Sequence, residues 1–246
     1  MKNKMILMKL SKRNILLEAW QKMKNHLGLW ILIMLFIMAF NLAISTVQEK
    51  LLDNITSQTI LFTVAAYLFQ AGINLGMLKI ALNIYSGNEA GFSDLLSSFH
   101  LLVSYILATI VFFVLLLIAA TPGAILLMIS ISFDFDSLSN LESISSLSFV
   151  LPLLLMIVPV IYASIRMQFY DYFLVNEDGG AIEAIKRSIA ITRDYVGDLF
   201  ILGAILSIII LVSMIPLMLG LLISIPLATM VNSQVFLLLK NPIINE

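Results

Sequence analysis

From Leu27 the chain reads "LGLWILIMLFIMAFNLAIST", and no formal charge interrupts the run until Glu49. A helix that crosses a bilayer needs about 20 mainly apolar residues, so this stretch is a first span. Further runs of the same kind follow. The one from Gln58 to Asn83 is broken only by Lys79, and no Asp, Glu, Lys or Arg falls between Asp94 and Asp134. Pro122-Gly123 divides that third run unequally, which predicts one span up to about residue 121 and then a short helical or re-entrant extension over 122–133. Ser148 to Ile165 precedes Arg166, and Leu199 to Leu239 is long enough for two spans that turn near Pro216 to Gly220. The pattern predicts an all-α fold: one integral membrane domain over residues 1–246, with spans at about 28–46, 58–83, 99–121, 148–172, 199–217 and 220–239.

Two segments between the runs are amphipathic at helical spacing. In 181–196, Ile182, Ile185, Ile189 and Val196 share one side, with Glu183, Lys186, Arg187 and Arg193 on the other. In the amphipathic N-terminus, residues 1–27, one helical face carries Ile15, Leu16, Ala19, Trp20, Met23 and Leu27, with Lys12, Arg13, Lys22 and Lys24 opposite or flanking. Both patterns predict interfacial helices, apolar side in the acyl boundary and basic side toward anionic headgroups. "LEAWQKMKNHLGLWIL" and "IEAIKRSIAITRDYVGDLFIL" also echo each other, and "GFSDLLSSFHLL" before span three is a neutral third version. Either the chain holds two or three parallel units of surface helix plus helical hairpin, or amphipathic helices resemble one another by chance.

Composition agrees with this picture: 61% of residues are hydrophobic, 12% charged, and the mean hydropathy is +1.04. No sizeable soluble domain fits beside six spans. The chain has no cysteine and two histidines, His26 and His100, so no thiolate chemistry and no metal site is expected, and no cofactor. Ten charged side chains crowd into "RMQFYDYFLVNEDGGAIEAIKRSIAITRDYVGD", residues 166 to 198. The positive-inside rule accounts for this. Lys12, Arg13, Lys22 and Lys24 set the N-terminus in the cytoplasm, and even numbers of crossings bring Lys79, Arg166, Lys186, Arg187, Arg193 and Lys240 to the same side. Lys50 is left as the outer basic residue. Both termini are therefore expected in the cytoplasm. The polar lead of about 27 residues is long for the n-region of a signal peptide.

Candidate chemistry is sparse. Lys79 and Arg166 are the basic groups inside apolar runs, and a membrane-embedded charge is a functional candidate by default. Both lie near the inner boundary, where a long side chain can snorkel. If they converge with Asp171, an inner-leaflet pocket of mixed charge results that suits a phospholipid headgroup, with Lys186, Arg187 and Arg193 as further headgroup contacts. Span two carries Thr63, Tyr67, Gln70 and Asn74 at helical spacing, next to Gly72-x-x-x-Gly76. These amides, with Asn41 and Asn232 as partners, read as packing hydrogen bonds or as the lining of a solute path. Pro152, Pro159, Pro216 and Pro226 could break helices around such a path. No Asp, Glu or His is expected at the midplane, and no catalytic or nucleotide-binding motif occurs.

"AWQKMKNHLGLWI", "AGINLGMLKIALNIYSGNEAGFSDLLSSF" and "IRMQFYDYFLVNEDGGAIEAIKRSIAITRDYVGDLFIL" resemble the uncharacterised bacterial six-span proteins grouped around YciC and the glycerophosphoryl diester phosphodiesterase membrane domain. The resemblance implies a polytopic inner-membrane protein and carries over no catalytic residue, since the enzymatic barrel fused to some members is absent here. The expectation is a non-enzymatic multi-pass protein that contacts anionic phospholipids or a membrane-protein partner in envelope organisation, with no nucleic-acid partner. The alternative is a facilitator that moves a small neutral or amphiphilic solute past the amides of span two.

Overall fold

The computed structural model describes residues 11–51, 57–133, 147–215 and 219–241, and all its regular structure is helical. Helix α1 spans Lys12–Asn25 and α2 Leu27–Leu51; α3 covers Ser57–Ser86 and α4 the single turn Asp94–Ser97. A 3-10 turn, Phe99–Leu101, leads into α5, Leu102–Phe133. Then come α6 (Leu147–Met167), α7 (Tyr170–Glu177), α8 (Ala181–Ile191), α9 (Val196–Met214) and α10 (Leu221–Lys240). Six stretches are long and apolar enough to cross a membrane: Leu27–Glu49, Thr59–Ser86, Asp94–Ser130, Val150–Glu177, Val196–Met214 and Leu221–Lys240. The chain is a multi-pass membrane protein with an all-α helical bundle.

Three boundaries are decided by the structure, each for a physical reason. Of the two alternatives for residues 122–133 the helical extension holds and the re-entrant one does not, because α5 runs through Pro122 without a break. A Cβ on Gly123 would collide with the Met156 backbone, so Gly123 marks a close approach of α6 to α5. Pro152, Pro159 and Pro226 likewise sit inside continuous helices, and Pro216 lies outside the described residues. Span four, expected unbroken to about residue 172, does break, at Gln168-Phe169 between α6 and α7, where no proline or glycine stands. The third boundary is that of α8, which stops at Ile191, short of the expected 196.

The core is built by the second helix of each hairpin. Helices α3, α7 and α10 pack together, with the rings of Phe169, Tyr172 and Phe173 around Phe236. Buried residues concentrate in the halves of these helices nearest the charged end: Ile73, Leu75, Ile80 and Ala81 on α3, Phe169 and Leu174 on α7, and Met230, Val231 and Val235 on α10. The first helices α2, α5 and α9 stay peripheral, and large apolar side chains such as Leu42, Leu117 and Leu211 face outward, as lipid contact requires.

The surface helices follow one rule of placement. Helix α4 packs on α3, α8 on α7 and α1 on α10, so each lies on the second span of the preceding hairpin and the last contact closes a ring. Glycines make the first of these contacts possible: a Cβ on Gly72 would stand 2.6 Å from the Phe99 ring, and one on Gly76 would run into the Leu95 backbone. The Gly72/Gly76 pair thus receives α4 and the turn after it, where a span would have been the usual partner.

Candidate functional site

At the junction of the three central helices, Asp171 on α7 faces a cavity of about 240 Å³ with Asn74, Leu75, Met77 and Leu78 of α3, Ile225 and Thr229 of α10, and Tyr105 of α5. At 1.5 Å rise per residue, Asp171 sits about 9 Å inside the end of α7, and Asn74 and Thr229 about 16 to 18 Å inside the ends of their helices. The carboxylate thus lies within the helical part of span four but short of its middle, and the expectation that no acidic group stands at the midplane is not overturned by it. Its Oδ1 accepts the Tyr172 backbone N–H at 2.9 Å, and no ion pair among the described residues includes it. Arg166 does not reach it; that guanidinium lies over the Tyr162 ring at 5.9 Å, with Nη1 buried and unbonded.

Tyr105 also lines a second cavity of about 220 Å³, with Tyr67 of α3 and Ile106, Thr109, Ile110 and Phe113 of α5. Tyr105 is shared by the two spaces, the first polar at Asp171 and the second apolar toward Phe113, and together they make up the crevice beside α3 and α5. Its wall is fixed by Tyr170, whose hydroxyl lies 3.0 Å from Thr109 Oγ1 and whose ring stacks near Tyr105 at 6.0 Å.

The break in span four is what turns α7 so that Asp171 enters the crevice, and α8 holds the break. Ser188 Oγ donates to the freed Arg166 carbonyl at 3.1 Å and accepts the Phe169 N–H at 3.0 Å, while Thr192 Oγ1 shares its one proton between that carbonyl at 2.9 Å and Ser188 O at 2.8 Å. Non-helical backbone within a bilayer has to be satisfied by protein groups, and these two hydroxyls do that. The face of α8 that meets the protein is Ala184, Ile185, Ser188 and Thr192, all buried, while Ile182 is exposed. It is rotated from the isoleucine face expected to lie in lipid.

Much of the charge in residues 166–198 is spent on clips at the same end of the bundle. Glu177 takes both Arg187 and Lys240, the latter at 2.6 Å, while Arg187 also binds Glu183 at 2.5 Å. Lys12 reaches Asp198 at 2.5 Å, and His100 Nε2 lies 3.3 Å from Asp178. Arg187 is thus a joint between α7 and α8, unlike the free headgroup contact expected of it. Lys79, Lys186 and Arg193 form no ion pair among the described residues, and Lys79, Arg166 and Asp171 are not joined to one another by any bond there.

The expected amides divide. Asn74 lines the crevice, and Gln70 has its Oε1 buried without a partner. Asn41 is exposed and bonds within its own helix to Ile37 O at 2.9 Å, and Asn232 makes no cross-helix hydrogen bond among the described residues. Gln234, absent from the expected amides, does bridge helices. Its Nε2 donates to Glu18 at 2.6 Å and its Oε1 accepts from Tyr85 at 3.3 Å, while Lys22 lies 4.4 Å over the Tyr85 ring.

Among known proteins, residues 27–241 match a family model described as a domain of unknown function, DUF7847. No curated protein matches the chain, and no solved structure does.

Proposed function

Because the chain belongs to the DUF7847 family, whose description assigns no activity, we propose its role from the crevice: a non-enzymatic membrane protein that takes a small amphiphilic solute between α3 and α5 and passes it toward the charged end. The observation that carries this reading is a pair of cavities that share Tyr105, one polar at Asp171 and Asn74 and the other apolar at Phe113, placed where all three hairpins meet. Ligand sites within helical membrane proteins commonly lie between helices near a break, and the α6–α7 break adjoins this one. The earlier expectation of a cytoplasmic basic surface for anionic lipids is supported in a reduced form. Arg13, Lys24, Lys186 and Arg193 are exposed and form no ion pair among the described residues, whereas Lys12, Arg187 and Lys240 are engaged in clips. The inner-membrane location, the cytoplasmic termini and the likeness to the YciC group belong to the same proposal.

A diazirine-bearing dodecanol, photolysed with the protein in phosphatidylcholine nanodiscs, tests it. Saturable labelling should map to residues 67–78 and 105–113 and be lost in Ile110→Trp, which fills the apolar half of the crevice while melting close to wild type. Labelling spread evenly over all lipid-facing helices, or unchanged in Ile110→Trp, would remove the crevice from consideration.

A further inference from the structure

The geometry points to an amphiphile with a primary ammonium head as the solute: the head against Asp171, Asn74 and Thr229, the chain past Tyr105 toward Phe113. This rests on the crevice reading above and names the chemical class it selects. Taking a carboxylate out of water is costly unless a positive partner or a proton replaces hydration. Asp171 has no lysine or arginine in ion-pair range among the described residues, and the Tyr172 backbone N–H donates to it. An anionic head would be repelled, and a neutral one would require the carboxyl to take up a proton, whereas a cation compensates the charge directly.

The rest of the lining chooses among cations. A primary ammonium has three N–H donors, and the cavity offers three acceptors in the Asp171 carboxylate, the Asn74 amide oxygen and the Thr229 hydroxyl. Thr229 Oγ1 donates to Ile225 O at 3.1 Å, which leaves its lone pairs for an incoming N–H. A hard metal ion would seek six or more oxygens, but Leu75, Met77, Leu78 and Ile225 fill the remaining wall. Tyr105 offers an aromatic ring to the cation. About 240 Å³ corresponds to roughly eight water volumes, enough for an ammonium and a few methylenes, and the adjoining 220 Å³ takes the chain onward.

The test compares tritiated dodecylammonium with dodecanol at pH 7 in phosphatidylcholine nanodiscs, with empty nanodiscs subtracted. Wild type should bind the ammonium at least tenfold more tightly, and Asp171→Asn should bring it down to the level of the alcohol. Asp171→Glu should restore part of the preference. Equal affinity for the two probes in wild type, which needs no variant to fold, overturns the inference, as does a preference that survives Asp171→Asn. Binding of dodecanol without ammonium preference leaves the crevice reading standing and sinks this one; saturable binding of neither probe sinks both.

Discussion

Substituting Ser188 probes the break that aims α7. The Ser188 hydroxyl serves two backbone groups at once, donating to Arg166 O and accepting from Phe169 N, and both it and Phe169 are buried. In Ser188→Ala the Phe169 N–H loses its partner away from water, a penalty of about 1 to 3 kcal/mol, whereas the Arg166 carbonyl keeps Thr192. Thr192→Val preserves shape and removes one of two donors to that carbonyl, which predicts about 0.5 to 1 kcal/mol. In the double variant the carbonyl loses both, so the loss should exceed the sum of the singles by about 1 kcal/mol or more. Unfolding by sodium dodecyl sulfate in mixed micelles, followed through the fluorescence of Trp20 and Trp30, measures all three. If Ser188→Ala stays within about 0.5 kcal/mol of wild type and the double variant is additive, the hydroxyls do not hold the break and the account of how Asp171 is placed fails.

Other substitutions separate packing from charge. Gly76→Ala should cost about 1 to 3 kcal/mol because the new methyl meets backbone, while Gly203→Ala, with open space around its Cβ position, should be neutral or slightly stabilising in the same assay. Glu177→Gln should destabilise by about 1 kcal/mol, an effect that shrinks as salt rises, since the carboxylate is partly exposed but shared by Arg187 and Lys240. A loss that does not respond to salt would point to packing as the role of Glu177. Single cysteines at Glu49, Asn88 and Asp178 should show the first labelled by an impermeant thiol reagent in intact cells and the other two protected; labelling at Asp178 reverses the proposed orientation.

The spans were legible because a bilayer demands long apolar runs, and six of them survive every local ambiguity. The course of the backbone inside them was harder to read. Pro122 invites a break, but Gly123 beside it lets α6 approach and the helix continues, whereas the actual break at Gln168-Phe169 carries no sequence signal of its own. Its signal lies twenty residues away, in Ser188 and Thr192 one turn apart on α8. Those hydroxyls were hidden by the isoleucines, since Ile182, Ile185 and Ile189 suggest a face that the buried Ala184 and Ser188 show to be rotated. Asp171 is a candidate on sequence, but on a straight span four it would fall past Arg166, toward the inner boundary. The direction of α7 moves it into the crevice, and only tertiary packing determines that direction. Gln234 was lost among apolar neighbours because nothing local says that Glu18, more than two hundred residues earlier, comes to meet it.

The closure of the ring by α1 on α10 has a consequence for how the protein is made. Helix α1 leaves the ribosome first and α10 last, with about 200 residues between them, so at ordinary synthesis rates α1 waits on the order of 10 to 40 s for its partner. Throughout that interval the Ile15, Ala19 and Met23 face lacks the cover that α10 contributes. A membrane surface is at hand, and a helix with basic flanks and an apolar stripe is suited to rest there. The amphipathic pattern of α1 is thus one that a lipid surface or α10 can cover, and the first is available before the second.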